Sequence, residues 1–133
     1  MVPSPSPRAN IITLSSFKDK ESDNDNVVSL AIAFETLLID FYSPGVTDKI
    51  LYRAKILLKG IPGNRKMNAE ISNLIKKRGA TVHLGSSSLA VDLSLTQKAY
   101  ANILLKIIQN VENINPTNQE PILELINDID KNS

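Results

Sequence analysis

The stretch Ile50–Gly79, "ILYRAKILLKGIPGNRKMNAEISNLIKKRG", decides the fold. Apolar residues recur in it every three or four positions: Ile50, Leu51, Ala54, Leu57 and Leu58, then Met67, Ile71, Leu74 and Ile75. A helix of 3.6 residues per turn returns such positions to one face. "GIPGN" separates the two runs, because glycine and proline punctuate regular structure. The stretch therefore predicts two amphipathic helices, at about 47–59 and about 66–78. Thr47 is placed as the cap of the first, with Asp48 at the positive end of its dipole. Lys76, Lys77 and Arg78 close the second at its negative end, with Gly79 as a left-handed cap.

The same period extends outward. "VVSLAIAFETLLIDF" predicts a helix at 27–41, capped by Asn26 or Asp25, with Val27, Leu30, Ala31, Phe34, Leu37, Leu38 and Phe41 turned inward. The longest helix is expected at 95–112, where Ser94 and Gln97 form a capping-box pattern. Its stripe is Tyr100, Ile103, Leu104, Ile107, Ile108 and Val111. A last helix is expected at 118–130, with Thr117 and Glu120 as a second box and Ile122, Leu125, Ile126 and Ile129 inward. Residues 80–93, "ATVHLGSSSLAVDL", read as a hairpin about a Gly-Ser turn or as an irregular link. An isolated hairpin is marginal, so a link is expected.

These elements make an all-α chain, a compact bundle of about five helices over residues 26–131. Residues 1–25 are expected to be a flexible N-terminal tail, because proline, serine and alternating charge leave little to bury. A chain of 133 residues suits a single core. Its hydrophobic content of 42% with only 5% aromatics favours Leu-, Ile- and Ala-lined helices. There is no cysteine, which excludes disulfides, thiolate nucleophiles and cysteine-based zinc sites, and a cytoplasmic location is expected. No run of 18 apolar residues occurs, so no membrane span is expected. "MVPSPSPRAN" lacks the charged start and apolar run of a signal peptide.

The net charge of +1 conceals a pattern. Residues 1–48 carry three cations and seven anions, residues 49–106 eleven and two, and residues 107–133 one and five. A middle of +9 thus lies between ends of −4 each. Such asymmetry bears on partners more than on fold.

Motifs for catalysis are missing. His83 is the single histidine; with Asp92 as its orienting acid it would be a general base, but without that geometry it is a polar residue in the link. Asp19, Glu21, Asp23 and Asp25 alternate as in a calcium loop, yet Asn24 stands where that loop needs glycine and Leu30 where it needs glutamate. A solvated acidic linker is the reading adopted. "KGIPGNRK" lacks P-loop spacing. Its Gly60 and Gly63 make the GxxG of a KH domain, but that domain also needs a sheet. No metal, cofactor or nucleophile–base set is expected, and the chain is read as non-catalytic.

The basic middle carries the functional reading. Lys49 and Arg53 share a helix face, as do Lys55 and Lys59. Arg65 and Lys66 open a helix whose dipole opposes cations there, so stability alone does not account for them. Lys76, Lys77 and Arg78 end that helix, and Lys98 and Lys106 sit on the longest one. The candidate phosphate contacts are therefore Arg53, Lys55, Lys59, Arg65, Lys66, Lys76, Lys77 and Arg78, then Lys98 and Lys106. Only Tyr52 and Tyr100 offer aromatic rings nearby, which favours backbone contact to DNA or RNA over base reading. Two alternatives stand beside this. One is a helix–turn–helix DNA-binding regulator reading bases through Asn68 and Asn73. The other is a helical adaptor whose charged regions meet proteins.

The run "FYSPGVTDKILYRAKILLKGIP" followed by "MNAEISNLIKK" resembles the C-terminal helical region of the large subunit of type I-D CRISPR surveillance complexes. Pro44, Arg53, Ala54, Lys55, Ile56 and Leu57 carry the resemblance, which covers roughly residues 40–78. In that family the region is also made separately as a small subunit. The resemblance implies a non-catalytic helical bundle in a CRISPR effector ribonucleoprotein, with several copies stacked along the complex as a filament. It implies support of the guide–target duplex and of the displaced DNA strand. Head-to-tail stacking is the arrangement that the charge pattern leads us to expect. The acidic ends of one copy would then face the basic middle of the next.

Overall fold

The computed structural model describes residues 25–41, 44–84 and 91–132, with the side chains of 80–84 outside the description. Five α-helices fill the described residues: α1 (25–38), α2 (Val46–Leu57), α3 (Asn64–Leu84), α4 (Leu93–Gln109) and α5 (Pro121–Lys131). A 3-10 turn, Val111–Asn113, continues α4. Among the described residues there is no strand, and the all-α expectation holds. That leaves the KH motif at Gly60 and Gly63 without its sheet. No helix among the described residues is long and apolar enough to cross a membrane.

α3 packs on both α2 and α4, and α5 packs on α2. The core is built by Val27, Ala31, Phe34 and Leu38 of α1, Ile50, Ala54 and Leu57 of α2, and Met67, Ile71 and Leu74 of α3. Ala99, Ile103 and Ile107 of α4 join it, with Leu125 and Ile126 of α5. Phe34 meets Tyr100 edge to face at 5.3 Å between ring centroids, the favoured quadrupolar geometry, and so ties α1 to α4.

Several helix ends differ from expectation. α1 stops at 38, so Phe41 lies outside the apolar face and is 56% exposed. Residues 25 and 26 are already helical, so neither caps from outside, and the helical domain reaches Asp25. The rest of the expected tail and the calcium-like spacing from Asp19 lie outside the described residues. α2 is entered through Gly45 at φ +81, not capped by Thr47. α3 does not end at Gly79: it runs to Leu84, and Gly79 has no positive φ. The expected link therefore begins as helix, carrying the backbone of residue 83 with it. The His83 side chain lies outside the described residues.

The start of α4 shows why the expected cap was displaced. Asp92, not Ser94, precedes the helix, and its carboxylate accepts from the Leu95 amide at 3.0 Å. The Asp92 amide donates to Glu70 of α3 at 2.8 Å, so a tertiary contact holds the cap in place. Buried Thr96 donates back to the Asp92 and Leu93 carbonyls. Its hydroxyl is thereby satisfied inside the core.

α5 has no side-chain cap of its own at Glu120. Asp40, which follows α1, supplies one: its carboxylate accepts from the Ile122 amide at 2.8 Å and the Leu123 amide at 3.1 Å. These are orphan donors of the first turn, at the positive end of the dipole. The Thr117 and Glu120 capping box is not formed; Thr117 turns to Asn115 instead.

Candidate functional site

α2 brings exposed Tyr52 and Lys55 and the edge of buried Ile56 to one side, and Lys59 follows in the turn. The spacing i, i+3, i+4, i+7 places them on one side. The chain then reverses through residues 58–63, with Gly60 at φ +82 and Gly63 at φ +79. Both conformations are left-handed and suit glycine. Ile61 donates its amide to Leu58, Asn64 donates its amide to Ile61, and the Asn64 side chain donates to Leu58 at 3.2 Å. This knot fixes the first turn of α3 against the end of α2.

The result is a cleft of about 390 Å³ between α2, the start of α3 and the end of α5. Lys55, Lys59 and Arg65 bring three cations to it, and Asn64 and Asn68 add amides. Tyr52, 54% exposed, forms an apolar wall, and its hydroxyl lies 3.5 Å from Asp130 of α5, the single carboxylate on the lining. The Asn68 Oδ1 atom is buried without a hydrogen-bond partner. The first turn of α3 contains no acidic residue. Its dipole and its cations therefore add at the same place, and both favour an anion.

The ten candidate cations divide. Lys55, Lys59 and Arg65 share the cleft, and exposed Lys66 stands beside them in the first turn of α3. Lys76 and Lys77 lie three turns further along α3, about 17–18 Å from Arg65 at 1.5 Å per residue. Arg78 is 3.5 Å from Glu35 and lies in a separate hollow with Asp48, an acidic setting. Exposed Lys98 and partly exposed Lys106 belong to α4, away from the cleft.

Arg53 is corrected outright as a phosphate contact. It is 5% exposed. Its guanidinium donates to the Leu38 carbonyl at 2.6 Å and lies 3.9 Å from the Asp40 carboxylate. The charge that shared a face with Lys49 in the sequence is spent on the end of α1. An inward-turned arginine of this kind is held because its donors and charge are matched.

Reasoning from the sequence noted Tyr52 as a ring near the cations but missed Asn64 and Asp130 on the lining. Tyr52 follows from its i, i+3, i+7 spacing with Lys55 and Lys59, whereas Asn64 lies beyond the turn and outside that spacing. Asp130 is 78 positions from Tyr52, and no local spacing predicts that meeting.

The connection from α2 to α3 spans six residues, 58–63, against the roughly three to four of a helix–turn–helix. Its second helix is also packed between two neighbours, α2 and α4. Among the described residues no group of three or more His, Asp or Glu side chains could hold a metal ion. No protein family, curated protein sequence or solved structure matches the chain.

Proposed function

We propose that the protein is a non-catalytic nucleic-acid-binding subunit of a larger assembly, contacting the sugar–phosphate backbone through the cleft of Lys55, Lys59 and Arg65. The observation that carries this reading is the convergence of those three cations on a helix start free of acidic residues. Phosphate oxygens match both the charge and the helix dipole. Lys66 extends the basic edge; Lys76, Lys77, Lys98 and Lys106 are outlying contacts for a longer strand. Backbone contacts of this type position a nucleic acid without reading its sequence.

The resemblance to the type I-D CRISPR large subunit gives the assembly its proposed identity: a small subunit of a CRISPR effector ribonucleoprotein, cytoplasmic, placed along the guide–target duplex or the displaced strand. Of the residues that carry the resemblance, Lys55 lies on the cleft, whereas Arg53 and Ala54 are buried. Their part in the pattern is structural. Head-to-tail stacking of copies, acidic ends against basic middles, belongs to the same proposal.

The test is a titration of the full chain with labelled single-stranded DNA, duplex DNA and RNA at several salt concentrations. Four contacts on duplex DNA give a log–log salt slope of about −3 to −4. Affinity should be insensitive to sequence. Lack of binding at low salt, or strong preference for one duplex sequence, would overturn the proposal.

A further inference from the structure

The side of α4 turned away from the core is apolar as well. Leu105 is 52% exposed and Ile108 54%; Val111, in the 3-10 turn that follows, is 56% exposed. Ala101 lies on the same side, one turn before Leu105, and is also exposed. The core side of the helix is already complete with Thr96, Ala99, Ile103 and Ile107. Bundle packing therefore gives no reason for these outward side chains. From Ala99 to Val111 the only charge is Lys106, which turns toward Leu125 and Asp128 of α5. At the two ends of the neutral face stand exposed Lys98 and exposed Glu112. Neither has an ion-pair partner among the described residues.

We propose that this face binds the same face of a second copy of the chain, the two α4 helices running antiparallel about a two-fold axis at Leu105. Isologous pairing requires a self-complementary patch. Here Lys98, on α4, and Glu112, in the 3-10 turn that follows it, lie seven positions either side of Leu105, at the two ends of the face. An antiparallel pair centred on Leu105 sets Lys98 of each copy against Glu112 of the other, at both ends. A parallel pair would set like against like, which is repulsive. In that register Ile108 falls opposite Asn102 and next to the small Ala101 of the second copy, and Val111 falls next to the methylene stem of its Lys98. Leu105 meets Leu105 at the axis. None of the cleft residues lies on α4, so the pairing leaves the cleft open and does not rest on the nucleic-acid reading. It is a closed contact, distinct from head-to-tail stacking.

One helix face is a small interface, at the weak end of specific association. Sedimentation velocity of the full chain at low salt, up to about 200 µM, should therefore show a concentration-dependent monomer–dimer equilibrium. Leu105→Glu should remain monomeric throughout with unchanged far-UV helicity. Lys98→Glu and Glu112→Lys should each weaken the dimer on the order of tenfold, since each replaces two attractions by two repulsions. The double swap Lys98→Glu/Glu112→Lys should restore it. A wild type that stays monomeric, as it would if the chain's own residues 1–24 covered the face, overturns the proposal. So does a dimer indifferent to Leu105→Glu, or a double swap no tighter than the single variants.

Discussion

Arg53 and Asp40 lie 3.9 Å apart in the core, and each satisfies the end of a helix other than its own. Arg53 of α2 donates to the last turn of α1; Asp40, just after α1, accepts from the first turn of α5. A cation at a C-terminus and a carboxylate at an N-terminus both complement the helix dipole. The pair thus fastens three helices at one point. Removing either charge leaves the other buried without its counter-ion, at a cost of about 3–5 kcal/mol. Asp40→Ala should lower the urea-unfolding free energy by that amount, and α5 should lose amide protection first. Asp40→Asn/Arg53→Met should cost less than the sum of its single variants. A loss below about 1 kcal/mol for Asp40→Ala would contradict the pairing.

The glycines separate two readings of α3. Gly79 is helical, and a Cβ added there meets nothing within 4 Å. Gly79→Ala should therefore stabilise by about 0.5–1 kcal/mol, as removal of a flexible residue from a helix interior does. Gly60→Ala and Gly63→Ala force a side chain into left-handed backbone and should destabilise by roughly 1–2 kcal/mol each. Denaturant midpoints of the three variants check this. A destabilising Gly79→Ala would restore the helix end expected at that position.

Ile103 and Ile108 test the orientation of α4. Ile103 is fully buried, whereas Ile108 is 54% exposed. Ile103→Ala should cost about 2–5 kcal/mol. Ile108→Ala should change the stability of the monomer by no more than about 0.5 kcal/mol. Thermal unfolding at low protein concentration, where the chain is monomeric, compares them. Equal losses would mean that both faces of α4 are covered in the free chain.

Charge reversal should distinguish the cleft from the outlying cations. Lys55→Glu/Arg65→Glu should weaken nucleic-acid binding uniformly across sequences and flatten the salt slope by about 2. Lys98→Glu, at an outlying contact away from the cleft, should weaken binding to long strands only slightly and flatten the slope by less than about 1. Fluorescence anisotropy against the same strands reads both. Equal effects would mean that the cations act as a diffuse field and not as a site.

Asp92 connects local capping to tertiary contact. Asp92→Ala removes the acceptor for the Leu95 amide and should cost about 1 kcal/mol. Glu70→Ala removes the acceptor for the Asp92 amide and should also destabilise α4, although it lies on another helix. Hydrogen exchange at Leu95 and Thr96 should accelerate in both variants. Unchanged exchange there with Glu70→Ala would show that the cap stands without α3.

Helix existence and the inward faces of α2 and α3 were legible in the sequence, because 3.6-residue periodicity is a local property. Ile50, Ala54, Met67 and Ile71 are buried as their spacing requires. The basic middle was legible as charge, and Lys55, Lys59, Arg65 and Lys66 do fall together. Local pattern misassigned the ends and the second face of α4. Ser94 and Thr117 had the right chemistry for caps, but Asp92, steadied by Glu70, and Asp40, 82 positions from Ile122, hold those ends. Ile108 and Val111 are as apolar as Ile103; only the placement of α3 decides which stripe is core. Arg53 reads as a surface cation until Leu38 and Asp40 surround it. Periodicity follows from one chain segment's own geometry, whereas a buried charge, a remote cap and the choice between two apolar faces are set by where other segments come to lie.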